Sequence, residues 1–241
     1  MAKLTGILLL IIYHLTLPSH ADLSLRISAI ENSDNSDISE IVLRKAYEKI
    51  GYQLHILSLP AKRSLHHANE GQSDGELFRI DGMEKTFTNL IKVPVAVNQL
   101  DAMVMTQKDD FSVKGWDSLN PYLIAIRRGV KFSEIGTKGM SRVYFNSNMG
   151  LGRILIQDNN VDIAVIARAN GLQTIQHLRE VNASQKLHLT EPPIATYPLY
   201  HYLHKKHADL VPRLAAVLEE MQANGEMAAI RTKYFKDKYG Q

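Results

Sequence analysis

Charged and amide side chains stand at the ends of predicted strands, where an α/β protein gathers its ligand-binding groups. Glu31 and Asn32 follow the first strand, and Arg79 ends a short strand that also contains Glu76. A guanidinium group can hold a carboxylate through two parallel hydrogen bonds, while amides and carboxylates bind other polar groups. These residue types predict a site for a small polar or anionic solute. The alternative for Asn32 is a role in the turn alone.

A second set of polar side chains joins predicted strands to the helices that follow them. Arg127, Arg128 and Lys131 surround a glycine. Gly129 permits a tight turn, and the free N–H groups of the following helix favour an anion. Asn146 follows the next strand and could donate or accept a hydrogen bond. The alternatives are an ordinary turn with exposed arginines and, for Asn146, a helix cap.

Two further candidates lie away from the strand ends. Arg63 stands in the first turns of the second predicted helix, and Tyr197 lies on an extended segment near the C-terminus. Either could flank a solute, but Arg63 could equally be solvated and Tyr197 could pack within a hinge. Arg79 has an alternative too, because a structural ion pair with Glu76 or Asp81 would occupy its guanidinium group.

Cysteine and two common motifs of metal sites and enzymes are missing from this chain. It has no cysteine, which excludes disulfides, thiolate metal sites and cysteine nucleophiles. His201, His204 and His207 are spaced like metal ligands on a helix, but an extended segment would scatter them. The H-E-x-x-H and P-loop motifs are absent from the sequence. We therefore expect no metal, no cofactor and no catalytic residue.

The elements that would position these side chains are short apolar strands alternating with amphipathic helices, which predicts an α/β fold. Asp37 and Glu40 form a capping-box pattern at the start of the first helix. The segment from Leu90 to Gln107 is long and extended, and Pro94 within it argues against a single central strand. We expect this segment to cross from one lobe to another, and Ile194 to Leu203 offers a second crossing.

This organisation divides the chain into two lobes joined by two crossings, with a cleft for a ligand between them. The predicted units are a signal peptide at 1–21, the first part of lobe 1 at 22–97, the first hinge crossing at 98–107, lobe 2 at 108–193, the second crossing at 194–203, and C-terminal helices that pack back on lobe 1 at 204–241. Closure of the lobes around a solute would be a hinge motion.

The N-terminus has the pattern of an export signal. Lys3 supplies a positive charge, Gly6 to Leu17 is largely apolar, and Ala21 precedes a possible cleavage site. The apolar run of about 12 residues is too short for a bilayer, which needs about 20. We predict export to the periplasm with cleavage near Ala21, the alternatives being a short buried helix or an uncleaved anchor. The absence of cysteine excludes a lipidated N-terminal cysteine.

The net charge limits the partners that this chain could bind. The whole sequence has 28 basic and 25 acidic residues, a formal charge of +3, and loss of Lys3 with the signal reduces it by one. So small a charge argues against nucleic acid and anionic membranes as partners. We expect a monomer.

Several segments together point to a known family. They are Asp37 to Gly51, Leu59 to Leu65 followed by Gly71 to Glu76, Asn160 to Ile166, and Tyr202 to His207 with Gly225 and Glu226 downstream. In order and spacing they resemble the periplasmic solute-binding proteins of family 3, which are related to the polar amino-acid binding proteins of ABC transporters. The resemblance implies a type II two-lobe fold, a small-molecule solute, and an inner-membrane permease as partner.

Two regions of the chain differ from the pattern by which amino-acid binders of that family hold their ligand. Where the family has a Thr-x-x-Arg motif, Gly82 to Phe87 contains no arginine. Where the family has an aspartate after a strand of lobe 2, Ala167 and Arg168 stand. The resemblance therefore implies a divergent member, and the family's clamp for an α-amino acid is not carried over.

Two other functions are open alternatives. A loaded protein could signal to a membrane receptor instead of supplying a permease. An enzyme on the same fold, such as a dehydratase, would need a paired acid and base, for which Glu31, Glu76 and His66 are the candidates.

Overall fold

The computed structural model describes residues 23–158, 160–181 and 186–240. The predicted signal peptide and its cleavage site lie outside these residues. The strands are β1 Leu23–Ile30, β2 Tyr52–Leu59, β3 Gly75–Arg79, β4 Leu90–Thr106, β5 Ile124–Arg127, β6 Arg142–Phe145, β7 Ile163–Ala167, β8 His188–Leu189 and β9 Ala195–His204. The helices are α1 Asp34–Lys49, α2 Ala61–Asn69, α3 Lys131–Gly136, α4 Asn148–Gln157, α5 Arg168–Glu180, α6 Leu210–Ala223 and α7 Glu226–Tyr239.

In this part of the chain the strands form one continuous mixed sheet that runs through two lobes. Its order is β2-β1-β3-β9-β4-β7-β5-β6, with the short β8 beside β4. In lobe 1, β1 pairs in parallel with β2 and β3, and in lobe 2, β5 pairs in parallel with β6 and β7. β4 and β9 are antiparallel to each other and to their neighbours β7 and β3, so they connect the two parallel sets.

Lobe 1 is held together by apolar side chains that α1 and α6 place on the sheet. In α1, Leu43 and Tyr47 are four residues apart and share the helix face that is fully buried. They pack in one cluster with Ile27 from β1, Leu77 from β3 and Leu218 from α6. These contacts hold β1 against α1 and α6.

Lobe 2 has apolar clusters on both faces of its strands. Leu151 of α4 and Leu178 of α5 are fully buried with Ala164 of β7 on one face. Ile126 of β5 belongs to the cluster on the other face. Gly152 allows α4 and α5 to approach closely, because a Cβ atom there would lie 2.5 Å from Leu178 Cδ1. The ends of β5 and β7 therefore have fixed positions.

The sequence analysis argued against a single central strand here, but Leu90–Thr106 is one strand, β4, which is central only in its last part, where it pairs with both β9 and β7 or β8. Pro94 is accommodated because the first part of β4 is the edge of lobe 1, where β9 is its paired neighbour. The pairing with β9 shifts register between Lys92 and Ala96 and again before Asn98. The first irregularity spans the proline, the second follows it, and the pairing with β9 is regular from Asn98 to Ala102.

The first helix begins earlier than the capping-box pattern predicts. α1 starts at Asp34, and its N-cap is Ser33, whose Oγ accepts a hydrogen bond from the Ser36 N–H at 3.4 Å. The turn between β1 and α1 is therefore short, so the start of α1 lies close to the end of β1. Asp37 and Glu40 lie within the helix.

The two C-terminal helices differ in what they contact. α6 packs on lobe 1, but Phe235 of α7 packs between Ile38 of α1 and Leu172 of α5. The last helix thus contacts lobe 2 as well as lobe 1, on which the sequence analysis placed it. Within the described ranges, no helix combines the length and apolar character needed to cross a membrane.

His201 of β9 is fully buried inside lobe 1. Its Nδ1 lies 2.8 Å from the carbonyl oxygen of Glu76, which can only accept, so Nδ1 carries the hydrogen. Nε2 therefore accepts from the Tyr47 hydroxyl at 2.9 Å. Burial lowers the pKa of His201 to about 4 and keeps the ring neutral. Among the described residues, no group of three or more potential metal ligands gathers around this or any other histidine.

Replacing Tyr47 with Phe should destabilise the protein, because the change leaves the buried His201 Nε2 without a donor. We expect the free energy of unfolding to fall by about 1–3 kcal/mol. Urea denaturation measures the loss, with Tyr144→Phe as the control, since Tyr144 is exposed on β6. A Tyr47→Phe protein as stable as that control would contradict the assignment.

Candidate functional site

A cleft separates the two lobes at the carboxyl ends of their parallel strands. It contains a cavity of about 270 Å³. Residues 30–35 line it from lobe 1, and Arg127, Ala169, Asn170 and Gln173 line it from lobe 2. Three of the predicted site residues, Glu31, Asn32 and Arg127, are therefore brought together at one cavity.

The lobe 1 side of the cavity is a turn whose backbone is held in place by hydrogen bonds to neighbouring elements. The Glu31 N–H donates to the carbonyl oxygen of Leu59 at 3.0 Å, which links the turn to the end of β2. The Ser36 hydroxyl donates to the carbonyl oxygen of Ile30 at 2.6 Å. Asn32 has a left-handed backbone with φ of 52°, a conformation that asparagine tolerates better than most residues. The turn is thus held while the Glu31 and Asn32 side chains stay exposed.

The lobe 2 side of the cavity combines one guanidinium group with amide side chains. Arg127 ends β5, and its Nη1 donates to Asn148 Oδ1 of α4 at 3.2 Å. This bond orients the arginine and leaves Nε and Nη2 for other partners. Asn170 and Gln173 lie in the first turns of α5, and both are exposed. They add donors and acceptors beside the charged group.

Opposite charges therefore face the cavity from the two lobes. Glu31 is exposed, and within the described ranges its carboxylate has no side-chain partner. Arg127 can hold a carboxylate through the part of its guanidinium group that Asn148 does not use. The cavity can accommodate a small solute that presents an acidic group to lobe 2 and a polar or basic group to lobe 1.

Arg79 and Glu76 form an ion pair inside lobe 1, which is the alternative that the sequence left open. Arg79 Nη2 lies 2.5 Å from Glu76 Oε1 and donates to the carbonyl oxygen of Ala61 at 2.7 Å. Ser64 donates its hydroxyl to Glu76 Oε2 at 2.6 Å, and Glu76 is fully buried. Both side chains thus hold α2 against β3. Contact of Arg79 or Glu76 with a ligand stays a prediction.

A local irregularity of β3 explains how these two residues meet. Residues three apart on a regular strand point to opposite faces of the sheet. Here the pairing of β3 with β9 shifts register between Glu76 and Arg79, and such an irregularity re-aims a side chain. Burial raises the pKa of Glu76 to about 7, and the Arg79 charge and the Ser64 hydrogen bond offset this only in part.

Replacing Glu76 with Gln should change how stability depends on pH. The folded-state pKa of about 7 lies above the ordinary value of 4.5, so between them the folded protein keeps a proton that the unfolded chain releases. The free energy of unfolding of the native protein therefore falls as the pH rises across this interval. Glu76→Gln does not titrate and should gain about 3 kcal/mol relative to the native protein over the interval.

Urea denaturation of both proteins at several pH values across this interval measures the difference. Other titrating groups cancel in the comparison, because both proteins contain them. A difference in unfolding free energy that is the same at every pH would show that Glu76 does not take up a proton on folding.

The predicted anion-binding turn after β5 already holds a carboxylate of the protein. The Gly129 N–H donates to Glu134 Oε1 at 2.7 Å, and Lys131 Nζ lies 3.2 Å from Glu134 Oε2. The Arg128 guanidinium carbon lies 5.0 Å from the centre of the Tyr144 ring, which is a cation–π distance. A ligand would have to displace Glu134 to bind this turn. Ligand contact by Arg128 and Lys131 stays a prediction.

The remaining candidates lie outside the lining of this cavity. Arg63 is exposed on α2, and Asn146 is exposed after β6. Ser147 caps α4, because its Oγ accepts from a backbone N–H of the first turn at 3.0 Å. Tyr197 packs β9 on lobe 2, with its ring centre 6.1 Å from that of Phe132. Their contact with a ligand is untested.

The sequence analysis missed the contribution of α5 to the cavity. α5 begins at Arg168, immediately after the last residue of β7. Ala169, Asn170 and Gln173 directly follow β7, so the strand-end argument applied to β1, β5 and β6 would have found them. Asp34 and Asn35 were missed because the first helix was expected to start later.

Comparisons with known proteins give a match by fold and a distant match by sequence. No protein-family model matches the chain. A Shewanella oneidensis protein described as uncharacterized is 28% identical over 198 residues, which are 78% of this chain and 72% of that protein.

Solved structures match nearly the whole chain. An ancestral arginine-binding protein bound to glutamine has a TM-score of 0.58 and 17% identity, over 90% of this chain and 99% of that one. A histidine kinase sensor domain with similarity to periplasmic binding proteins has a TM-score of 0.61 and 17% identity, over 88% and 96%. The GluR0 ligand-binding core in complex with L-glutamate has a TM-score of 0.65 and 12% identity, over 89% and 99%.

These similarities confirm the predicted fold. The chain is an α/β protein with the two-lobe architecture of type II periplasmic binding proteins. Its cavity is lined by residues of both lobes. At these identities the likeness extends to the fold and not to the ligand.

Proposed function

We propose that this chain is a periplasmic solute-binding protein that captures a small polar or anionic solute, amino-acid-like or a carboxylate, for an ABC-type importer. The observation that carries the proposal is the cavity between the lobes, which Glu31 faces from one side and Arg127 from the other. A ligand with complementary groups would bridge the lobes and stabilise their closure. An inner-membrane permease would then recognise the closed form.

The fold and the N-terminal sequence both support this proposal. The fold matches an ancestral arginine-binding protein bound to glutamine and a domain bound to L-glutamate. The N-terminal segment has the pattern of an export signal that would be cleaved near Ala21. We therefore infer a divergent member of family 3 that acts as a monomer in the periplasm, without a cofactor and without catalytic activity.

A thermal-shift screen of small metabolites tests the proposal. A solute that binds only the folded protein raises the melting temperature in a concentration-dependent way. The panel should contain carboxylates, amino acids, diamines and neutral sugars, so that the charge preference can be read directly. We expect hits among compounds with a carboxylate. If diamines or sugars alone raise the melting temperature, the proposed ligand class is wrong.

Replacing Arg127 with Gln should weaken binding of the best hit, because it removes the guanidinium group that faces the cavity. We expect an affinity loss of about tenfold or more. Isothermal titration calorimetry measures it, with Arg153→Gln as the control, since Arg153 is an exposed arginine of α4 outside the lining of this cavity. Equal affinity of the two variants would remove Arg127 from the site.

A second candidate function is ligand sensing for a membrane receptor. The likeness to a histidine kinase sensor domain favours it. A strain that lacks the protein distinguishes the two functions, because a transport protein is needed for uptake of the radiolabelled hit, whereas a sensing partner is needed for a transcriptional response to it. A dehydratase-like activity would appear as a new product by mass spectrometry after incubation with the hits.

A further inference from the structure

One carboxylate at the crossing between the lobes gathers more charged partners than any group that lines the cavity. Asp101 lies on β4 where the strand passes from lobe 1 to lobe 2, and its side chain is 4% exposed. Its Oδ2 accepts from Arg168 Nε and from Arg231 Nη2, both at 2.8 Å. Its Oδ1 accepts from Gln99 Nε2 at 2.9 Å and from Thr196 Oγ1 at 3.3 Å.

Arg168 and Thr196 lie beside Asp101 through the pairing of β4 with β7 and β9, whereas Arg231 reaches it from the C-terminal helix. Arg168 is the first residue of α5 in lobe 2. Arg231 belongs to α7 and also donates to Asn98 Oδ1 at 2.9 Å, on the lobe 1 side of the crossing. Thr196 lies on β9, the second crossing. A single carboxylate thus joins both crossings to lobe 2 and to the C-terminal helix.

This cluster differs from a surface ion pair because its charged groups are largely buried. The side chains of Arg168 and Arg231 are 18% and 16% exposed, so solvent and salt screen their charges weakly. Arg168 also makes a two-point contact with Glu191, at 2.5 and 3.0 Å. Burial raises the pKa of Asp101, but the two arginines more than offset this, so the carboxylate stays ionised.

We propose that Asp101 is a positioning residue: its bonds to Arg168 and Arg231 restrain rotation of the lobes at the hinge and hold the first turn of α5 at the cleft. Asn170 and Gln173 line the cavity from the first two turns of α5, which begins at Arg168. The pairing of Ala102 with Ala167 keeps Arg168 beside Asp101, so a hinge rotation that moves lobe 2 would separate Asp101 from Arg231 of the C-terminal helix. The cluster therefore favours the lobe arrangement seen here over a more open one.

The positions of the two lobes can be measured directly, because the chain contains no cysteine. Lys62→Cys on α2 and Lys138→Cys after α3 introduce two exposed label sites, one in each lobe. Spin labels at these sites report the interlobe distance by double electron–electron resonance. We expect a narrow distribution for the protein with Asp101 and a broader or longer one after Asp101→Asn.

Asp162→Asn is the matched control. Asp162 also pairs with a basic side chain, at 2.5 Å from Lys108 Nζ, and accepts from the Leu123 N–H, but all these groups lie in lobe 2. Its removal should leave the interlobe distances unchanged. Folded Asp101→Asn protein with the native distance distribution would overturn the proposal, as would equal broadening by Asp162→Asn.

Conservative variants keep the test decisive if Asp101→Asn does not fold. Arg168→Lys and Arg231→Lys preserve the charge that faces Asp101 but lose the planar fork that bonds two acceptors at once. We expect each to broaden the interlobe distribution. Native distributions for both variants would overturn the proposal.

The positioning role at the cleft rests on the proposed function, whereas the distance measurement does not. For the best hit of the thermal-shift screen, we expect Asp101→Asn to lower the affinity by about fivefold or more, because less of the protein would be in the binding-competent arrangement. An affinity equal to that of the native protein would contradict this role. If no solute binds the native protein, the proposed function fails. The interlobe distances still show whether Asp101 restrains the lobes.

Discussion

The antiparallel pairing of β4 with β9 is the constraint on which the rest of this structure depends. The pair extends from Leu90 opposite His204 to Ala102 opposite Ala195, and β4 then pairs with β7. Each lobe adds its parallel strands to one end of this pair, so the carboxyl ends of the two sets face each other. The cleft is the space that remains between them, and the two strands are also the path along which the lobes can rotate.

Most of the charged side chains that the sequence suggested as ligand contacts interact with other groups of the protein instead. Arg79 is held by a buried carboxylate, and the turn at Gly129 is occupied by Glu134. Glu31 and Arg127 differ, because each reaches the cavity with part or all of its charged group unused. Residue type therefore indicated what chemistry the site could do, whereas competition among neighbours decided which residues could do it.

The Asp101 cluster and the cavity bear on the same motion. Ligand groups that bridge the lobes would stabilise their closure, and the cluster at the hinge would set how freely the lobes separate without a ligand. The restraint matters for affinity, because only molecules whose lobes are in the binding-competent arrangement can bind. If the lobes separate too freely, fewer molecules are in that arrangement and the apparent affinity falls in proportion. In this proposal the backbone of the two crossings would supply the hinge, while Arg168 and Arg231 would add the restraint through their ion pairs with Asp101.

The sequence by itself determined the α/β class and predicted the two extended segments and the strand ends that border the cavity, because hydrophobic periodicity and turn residues act locally. It misjudged Pro94, since only the assembled sheet makes that part of β4 an edge. It gave no sign of the Asp101 cluster, whose members are up to 130 residues apart in the chain. Tertiary structure alone decided which charges pair, because burial and distance between remote segments set the strength of each ion pair.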